Sequence, residues 1–197
     1  MYHNLLALGA VAIAGICAGG VALVIIIFLC WYISTYNKLK RINNLVDEGW
    51  ATIDVQLKKR YDLIPNLVET VKGYAKHESA TLEAVIRARS AAISATGEKK
   101  QEAENQLSGT LKSLLMLQEN YPQLKANTNF MDLQSQLKEV ENTIASARRY
   151  YNGTVKELNT HLDYFFTGFV GRRMRLEKRK YFELDSEEER KAVKVSF

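Results

Sequence analysis

The first 37 residues carry no Lys, Arg, Asp or Glu, and Leu5 to Ile33 is almost wholly apolar. A helix needs roughly 20 apolar residues to cross a bilayer, so this run predicts one transmembrane helix over about 5–33. A cleaved secretory signal fits less well: Ala12-Ile13-Ala14 resembles a cleavage site, but no basic residue precedes the run, and Gly15 to Ile33 would still span after such a cut. Lipidation at Cys17 is disfavoured by the bulky Ile16 before it. Lys38, Lys40 and Arg41 come just after the span and none precedes it, so the positive-inside rule puts the N-terminus outside and the charged remainder in the cytoplasm. Trp31, Tyr32 and Tyr36 suit the aromatic belt on that side. Both cysteines, Cys17 and Cys30, fall in the span, so the remainder has no disulfide framework. Gly15 and Gly19 have the small-xxx-small spacing that lets two membrane helices approach closely, which points to packing between copies, although Gly and Ala are common in any membrane helix.

The stretch after the span, about 160 residues, is long enough for one domain with a proper core. It holds all the charge and no strand-like alternation, which predicts an all-α fold. Ile42, Val46, Gly49, Trp50, Ile53, Leu57 and Tyr61 recur at steps of three and four, one face of a helix that continues from the span. Proline is tolerated in the first turn of a helix and disfavours helical geometry in the residue before it. Pro65 therefore predicts a helix end near Asp62 to Ile64 and a second helix burying Leu67, Val68, Val71, Tyr74, Ala75, Leu82, Val85 and Ile86; a kink within one continuous helix is the competing reading. Gly97 suggests the next break, and Asn120-Tyr121-Pro122 the end of a third helix carrying Ala103, Leu107, Leu111, Leu114 and Leu115. The longest period runs Leu133, Leu137, Val140, Ile144, Ala147, Tyr151, Val155, Leu158, Leu162 and Phe165, predicting a helix from about Asn127 to Phe165. The expected architecture is a transmembrane segment in residues 1–37, an elongated antiparallel three- or four-helix bundle over 38–166, and a basic then acidic tail over 167–197.

Residues 166–180 hold six basic side chains and one acidic one, an excess equal to the net charge of the whole chain, +5. Phe165, Phe166 and Phe169 stand beside Arg172, Arg173, Arg175, Lys178, Arg179 and Lys180, a combination suited to an anionic membrane surface. The bland alternative is a solvated basic end with the phenylalanines plugging the bundle; nucleic acid is disfavoured because the anchor ties the patch to a membrane. Enzyme signatures fail. His77-Glu78 begins like a zinc-protease helix, but Thr81 stands where the second histidine belongs, and no glycine-rich phosphate loop or nucleophile elbow appears. No catalytic residue, cofactor or metal site is expected. Trp50 and Tyr61 read as packing residues, and Arg148 to Tyr151 as a candidate partner face against the simpler polar side of a long helix.

Gly49 to Arg89, GWATIDVQLKKRYDLIPNLVETVKGYAKHESATLEAVIRAR, closely resembles the signature of LemA family proteins, in which a Trp (here Trp50), an IDVQL-type run and an RYDLIPNLV run (with Tyr61 and Pro65) recur. The likeness continues through Tyr121 to Asn127, Phe130, Glu141-Asn142, Ile144-Ala145, Ala147-Arg148 and Tyr151-Asn152, and ends in Tyr181 to Glu183 and a KVxF-like terminus. It implies a bacterial inner-membrane protein with one N-terminal span, an elongated cytoplasmic helical bundle and no known catalytic residues. The family is linked to membrane organisation, including magnetosome membranes, and is often encoded near membrane proteases. Family members usually carry a Phe-Pro pair after the last long helix; Tyr164 to Gly168 lacks the proline and a basic run comes next. The expected function is a non-enzymatic membrane scaffold forming a homo-oligomer. Its alternatives are an adaptor for a membrane protease or other envelope protein, through the acidic tail Glu183 to Glu189 or the Arg148 to Tyr151 face, and a lipid-binding element at the basic aromatic end.

Overall fold

The computed structural model describes residues 2–182, with side chains from Gly19 onward except that of Glu98. The acidic tail and the KVxF-like terminus, within residues 183–197, and the surroundings of Gly15 and Cys17 lie outside the described residues. Among the described residues there is no strand. Helix α1 spans Tyr2–Tyr74, α2 Ser79–Ser94, α3 Glu98–Met116, α4 Pro122–Lys125, α5 Thr128–Asp163 and α6 Phe165–Arg173, with a 3-10 turn at Leu117–Glu119. The all-α expectation is met. Two compact units divide the chain: one from Met1–Val46 with Thr154–Arg179, the other from Asp47–Gly153 with Lys180–Phe197. Helices α1 and α5 contribute to both.

The helix end expected at Asp62 to Ile64 is absent, and α1 runs through Pro65 to Tyr74. Of the competing reading, a kink within one continuous helix, the continuity is what α1 shows at this position. A proline inside a helix leaves the carbonyl four residues earlier without its partner, at a cost of about 3 kcal/mol when nothing replaces it. That carbonyl belongs to Tyr61, and Arg89 of α2 donates its Nε–H to it at 2.8 Å. Pro65 itself lies on the solvent side. The proline thus opens a docking point for the neighbouring helix.

The other breaks obey local chemistry. Gly97 adopts φ +60°, the left-handed region open to glycine, and joins α2 to α3. Pro122 takes the first position of α4, where its missing donor costs nothing. Asn127 caps α5 by accepting the Phe130 N–H on Oδ1 at 2.8 Å.

Four expected core positions are exposed instead. Helix α5 stops at Asp163 and Tyr164 is extended, which takes Phe165 off the long stripe and leaves it 80% exposed. Tyr74 lies at the outer end of α1, where its hydroxyl accepts a hydrogen bond from Asn127 Nδ2 at 2.9 Å. Ile86 falls beside the buried line of Leu82, Val85, Ala88 and Ala92 on α2. Trp50 is 41% exposed because its neighbour Gly49 takes the inward position; a Cβ there would stand 3.3 Å from the Tyr151 backbone. The indole packs at the rim against the rings of Tyr151 and Phe182, 5.5 and 6.0 Å away.

Within the second unit, Ile53, Leu57, Ile64 and Leu67 of α1, Leu107 and Leu114 of α3, and Phe130 and Ile144 of α5 are almost wholly buried. Each contributes roughly 1.5–3 kcal/mol of transfer free energy. Arg60 shares that core and is completely buried. Its guanidinium pairs with the equally buried Glu104 of α3, and donates to Ser108 Oγ at 3.0 Å and to Glu141 of α5 at 2.8 Å. The Tyr61 hydroxyl donates to Glu104, and Lys100 Nζ donates to that hydroxyl and to the Ala92 carbonyl, both at 2.9 Å. Burial first, then the hydrogen bond and negative charge of Glu104, raise the Tyr61 pKa and keep its phenol protonated.

Chemical denaturation reads the strength of these contacts. Arg60→Met leaves Glu104 buried without its guanidinium and costs about 3–5 kcal/mol, of which Arg60→Met with Glu104→Leu recovers most. Arg89→Met costs about 1.5–3 kcal/mol in the parent and less in a Pro65→Ala background, where a restored amide serves the Tyr61 carbonyl; equal costs in the two backgrounds would reject the proline's docking role. For Tyr61 the folded pKa is above the unfolded one, so its contribution is complete below about pH 10, the unfolded value, and is lost as pH rises beyond it. Tyr61→Phe accordingly flattens the alkaline loss of stability.

Candidate functional site

In the first unit, helix α6 lies against the end of α5. A Cβ added at Gly168 would collide with the Leu162 carbonyl, so only glycine permits the approach there, and one at Gly171 would displace the end of the Leu162 side chain. Val170 fills the inward face. Thr167 Oγ1 donates to the His161 carbonyl, and the His161 and Tyr164 rings meet edge to face at 5.9 Å. Burial, with Lys38 second, lowers the His161 pKa. The helix closes with paired backbone bonds, Leu176 N–H to the Gly171 carbonyl and Arg175 N–H to the Arg172 carbonyl, both 3.0 Å. Arg175 holds φ 56° there, a place where glycine is the cheaper residue.

With Gly168, Val170 and Gly171 turned inward, the opposite stripe of α6 is Phe165, Phe166, Phe169, Arg172 and Arg173, all exposed or partly so. Phe166 and Phe169 are 67% and 58% exposed, and Tyr164 precedes them at 57%. The stripe is not isolated. Phe166 meets Trp31 of α1 edge to face at 6.0 Å, and Trp31 stacks obliquely on Phe28 at 5.7 Å. An aromatic row therefore runs from the apolar part of α1 onto α6. That part of α1 is long and apolar enough to cross a membrane. Val24, Ile27 and Phe28 are exposed, unlike the side chains of a core helix.

The basic run divides in two. Lys178 pairs with Asp163 at 2.7 Å, an exposed bridge worth under about 1 kcal/mol. The Arg179 backbone is clamped by Asn159, whose Oδ1 accepts its N–H and whose Nδ2 donates to its carbonyl, both at 2.9 Å. The Lys180 carbonyl accepts from the Tyr151 hydroxyl at 3.0 Å. Asn152 makes the same two-sided clamp on Phe182, at 2.8 and 2.9 Å. These residues are strapped to α5, whereas no ion pair holds Arg172, Arg173 or Arg175 among the described residues.

The remaining expected positions lie apart from this surface. Tyr61 and Pro65 belong to the second unit, Tyr61 in its core. Trp50 and Arg148 enclose Phe182, with the Arg148 guanidinium 4.3 Å from the ring centre. Of the Arg148 to Tyr151 group, then, the middle pair, Arg149 and Tyr150, is left exposed. Around Gly19 a Cβ would meet nothing within 4 Å, so that face of α1 is open. Among the described residues no group of His, Cys, Asp or Glu side chains is placed to hold a metal ion. The residues missed from the sequence are Arg60, Arg89 and Glu104; a charged residue on the same three-four spacing as Ile53, Leu57 and Ile64 was the available signal for the first.

Comparison with known proteins agrees with the signature run. A protein LemA of Metamycoplasma hominis is 26% identical over 152 residues, covering 76% of this chain and 69% of that protein. The model of the LemA family matches residues 49–197, which contain the Arg60 core network and α6. The chain belongs to the LemA family.

Proposed function

We propose that this chain is a single-pass scaffold of the bacterial cytoplasmic membrane, with α1 crossing once, the N-terminus outside and the helical body in the cytoplasm. The observation that carries the reading is the change of environment along one helix. From Val21 to Ile33 nearly every side chain of α1 is exposed and apolar, while from Thr35 onward buried positions recur at Leu39, Ile42 and Val46. Exposed apolar side chains over such a length are stable when lipid surrounds them. Lys38, Lys40 and Arg41 mark the cytoplasmic exit.

As a scaffold, the chain organises the membrane or its complexes by assembling with copies of itself. The apolar stripe of α5 contributes little to that, because Leu137, Val140, Ile144, Ala147, Tyr151, Val155 and Leu158 are already covered within the chain. The open face at Gly19, one small-residue step from Gly15, supports assembly through the span.

The test is the native mass of full-length protein in mild detergent. A discrete assembly larger than the 22.4 kDa monomer is expected, dissociating when Gly15 and Gly19 are both changed to Leu. A monomer at micromolar concentration overturns self-assembly and favours the adaptor reading, in which Arg149 and Tyr150 offer the exposed contact.

A further inference from the structure

We propose that α6 is a lipid-docking helix, whose aromatic half enters the headgroup boundary of the membrane that α1 crosses and whose arginine half binds anionic phospholipid headgroups. This rests on the transmembrane reading of α1.

Three independent features converge on the same stripe. The first is exposure. Phe165, Phe166 and Phe169 present three large rings on a helix of only nine residues, an arrangement unfavourable in water, since each ring forgoes the transfer free energy of burial. The inner face is closed to rings at Gly168, where even a Cβ would collide with the Leu162 carbonyl.

Depth is the second feature. Trp31 lies at the end of the apolar run, seven residues before Lys38, and Phe166 touches it. A tryptophan at that place sits at the level where aromatic side chains gather between hydrocarbon and water. The contact fixes α6 at the same level, so its rings need no separate search for the bilayer. The row Phe28, Trp31, Phe166, Phe165 is unbroken, with the last pair edge to face at 5.2 Å.

Charge is the third. Arg172 and Arg173 continue the ring stripe at the C-terminal end of α6, where the helix dipole also favours cations. Arg175 comes next, in the left-handed position. Lys178 and the backbones of Arg179 and Lys180 are engaged elsewhere in the chain, so the lipid contact is narrower than the whole basic run. Lys38, Lys40 and Arg41, which leave the membrane on the same side, add to the attraction for an anionic leaflet. A basic side chain near such a surface raises occupancy roughly fivefold.

The experiment uses full-length protein in vesicles, with Cys17 and Cys30, its only cysteines, changed to Ser. A spin label is placed by Phe169→Cys, by Ile26→Cys in the span or by Lys156→Cys on the exposed side of α5, and its accessibility to oxygen and to a water-soluble nickel chelate is measured. Labels at 26 and 169 are expected to favour oxygen, that at 169 at shallower depth, and the label at 156 the chelate. Lipid-like 26 with water-like 169 overturns the docking and leaves the anchor standing. Water-like values at both overturn the anchor and the docking together. Low accessibility to both reagents at 169 places a protein surface there and also overturns the inference. Replacing phosphatidylcholine by a mixture with phosphatidylglycerol should deepen the 169 label, and Arg172→Gln with Arg173→Gln should abolish that gain; a gain that survives the double change overturns the headgroup assignment.

Discussion

A guanidinium with no exposed surface at the centre of a helical unit constrains everything packed around it. An arginine side chain keeps its charge in a protein, and an isolated buried charge is far too costly to tolerate. The folded state therefore requires Glu104 of α3 and Glu141 of α5 at the same height as Arg60 of α1. A helix slid by one turn, about 5.4 Å, would carry its carboxylate out of reach. Apolar contacts such as Leu57 or Leu107 specify no such height, because one methyl group substitutes for another. The network thus sets the register of three helices, and Lys100 completes a set of two cations and two carboxylates.

The proline at 65 acts on the same stretch of α1. It removes one backbone donor next to the place where Arg60 and Tyr61 are already committed, and the carbonyl so released is claimed by Arg89. Helix α2 is thereby tied to α1 by a charged hydrogen bond to the main chain, while Tyr61 meets α3 through Glu104. Four features of the signature run, Arg60, Tyr61, the Tyr61 carbonyl and Pro65, are each part of one joint. The resemblance of this run to the family signature has a physical content: it is the segment in which side chains and backbone of α1 are fixed by three other helices.

Much of the fold was legible because it depends on spacing and on the rigid preferences of a few residues. The stripes of Ile53 to Tyr61 and Leu137 to Leu158 are buried as their periods predict, and Gly97, Pro122 and Asn127 punctuate the chain as their backbone chemistry dictates. What escaped the sequence depends on partners distant along the chain. Pro65 ends a helix unless some donor replaces its amide, and that donor is 24 residues away in Arg89. Trp50 fits a helical stripe, yet Gly49 takes the inward place because the Tyr151 backbone comes within 3.3 Å. Phe165 continues a long period that is cut by the extended Tyr164, with no proline or glycine beside it to announce the break. The aromatic and basic residues at 165–180 could be recognised as a group but not divided, since the division rests on Asn159, Tyr151 and Asp163.

That division separates two treatments of the same residue types. In the second unit, aromatic residues beside charges are enclosed: Phe182 is covered by Arg148 and Trp50, and its backbone is held by Asn152. In the first unit the same residue types are turned outward, with glycines closing the inner face. Enclosing Phe165, Phe166 and Phe169 would require α6 to turn their stripe toward α5, in place of the inner face that Gly168 seats on the Leu162 carbonyl. Close packing that expels rings from a protein interior is unfavourable for a domain in water and favourable for one beside a bilayer, where the rings are buried in lipid instead. In the proposed docking, the arginines on the same stripe stay at the aqueous edge of that surface. A single hydrocarbon boundary then serves both the outward face of α6 and the exposed apolar face of α1 in that docking.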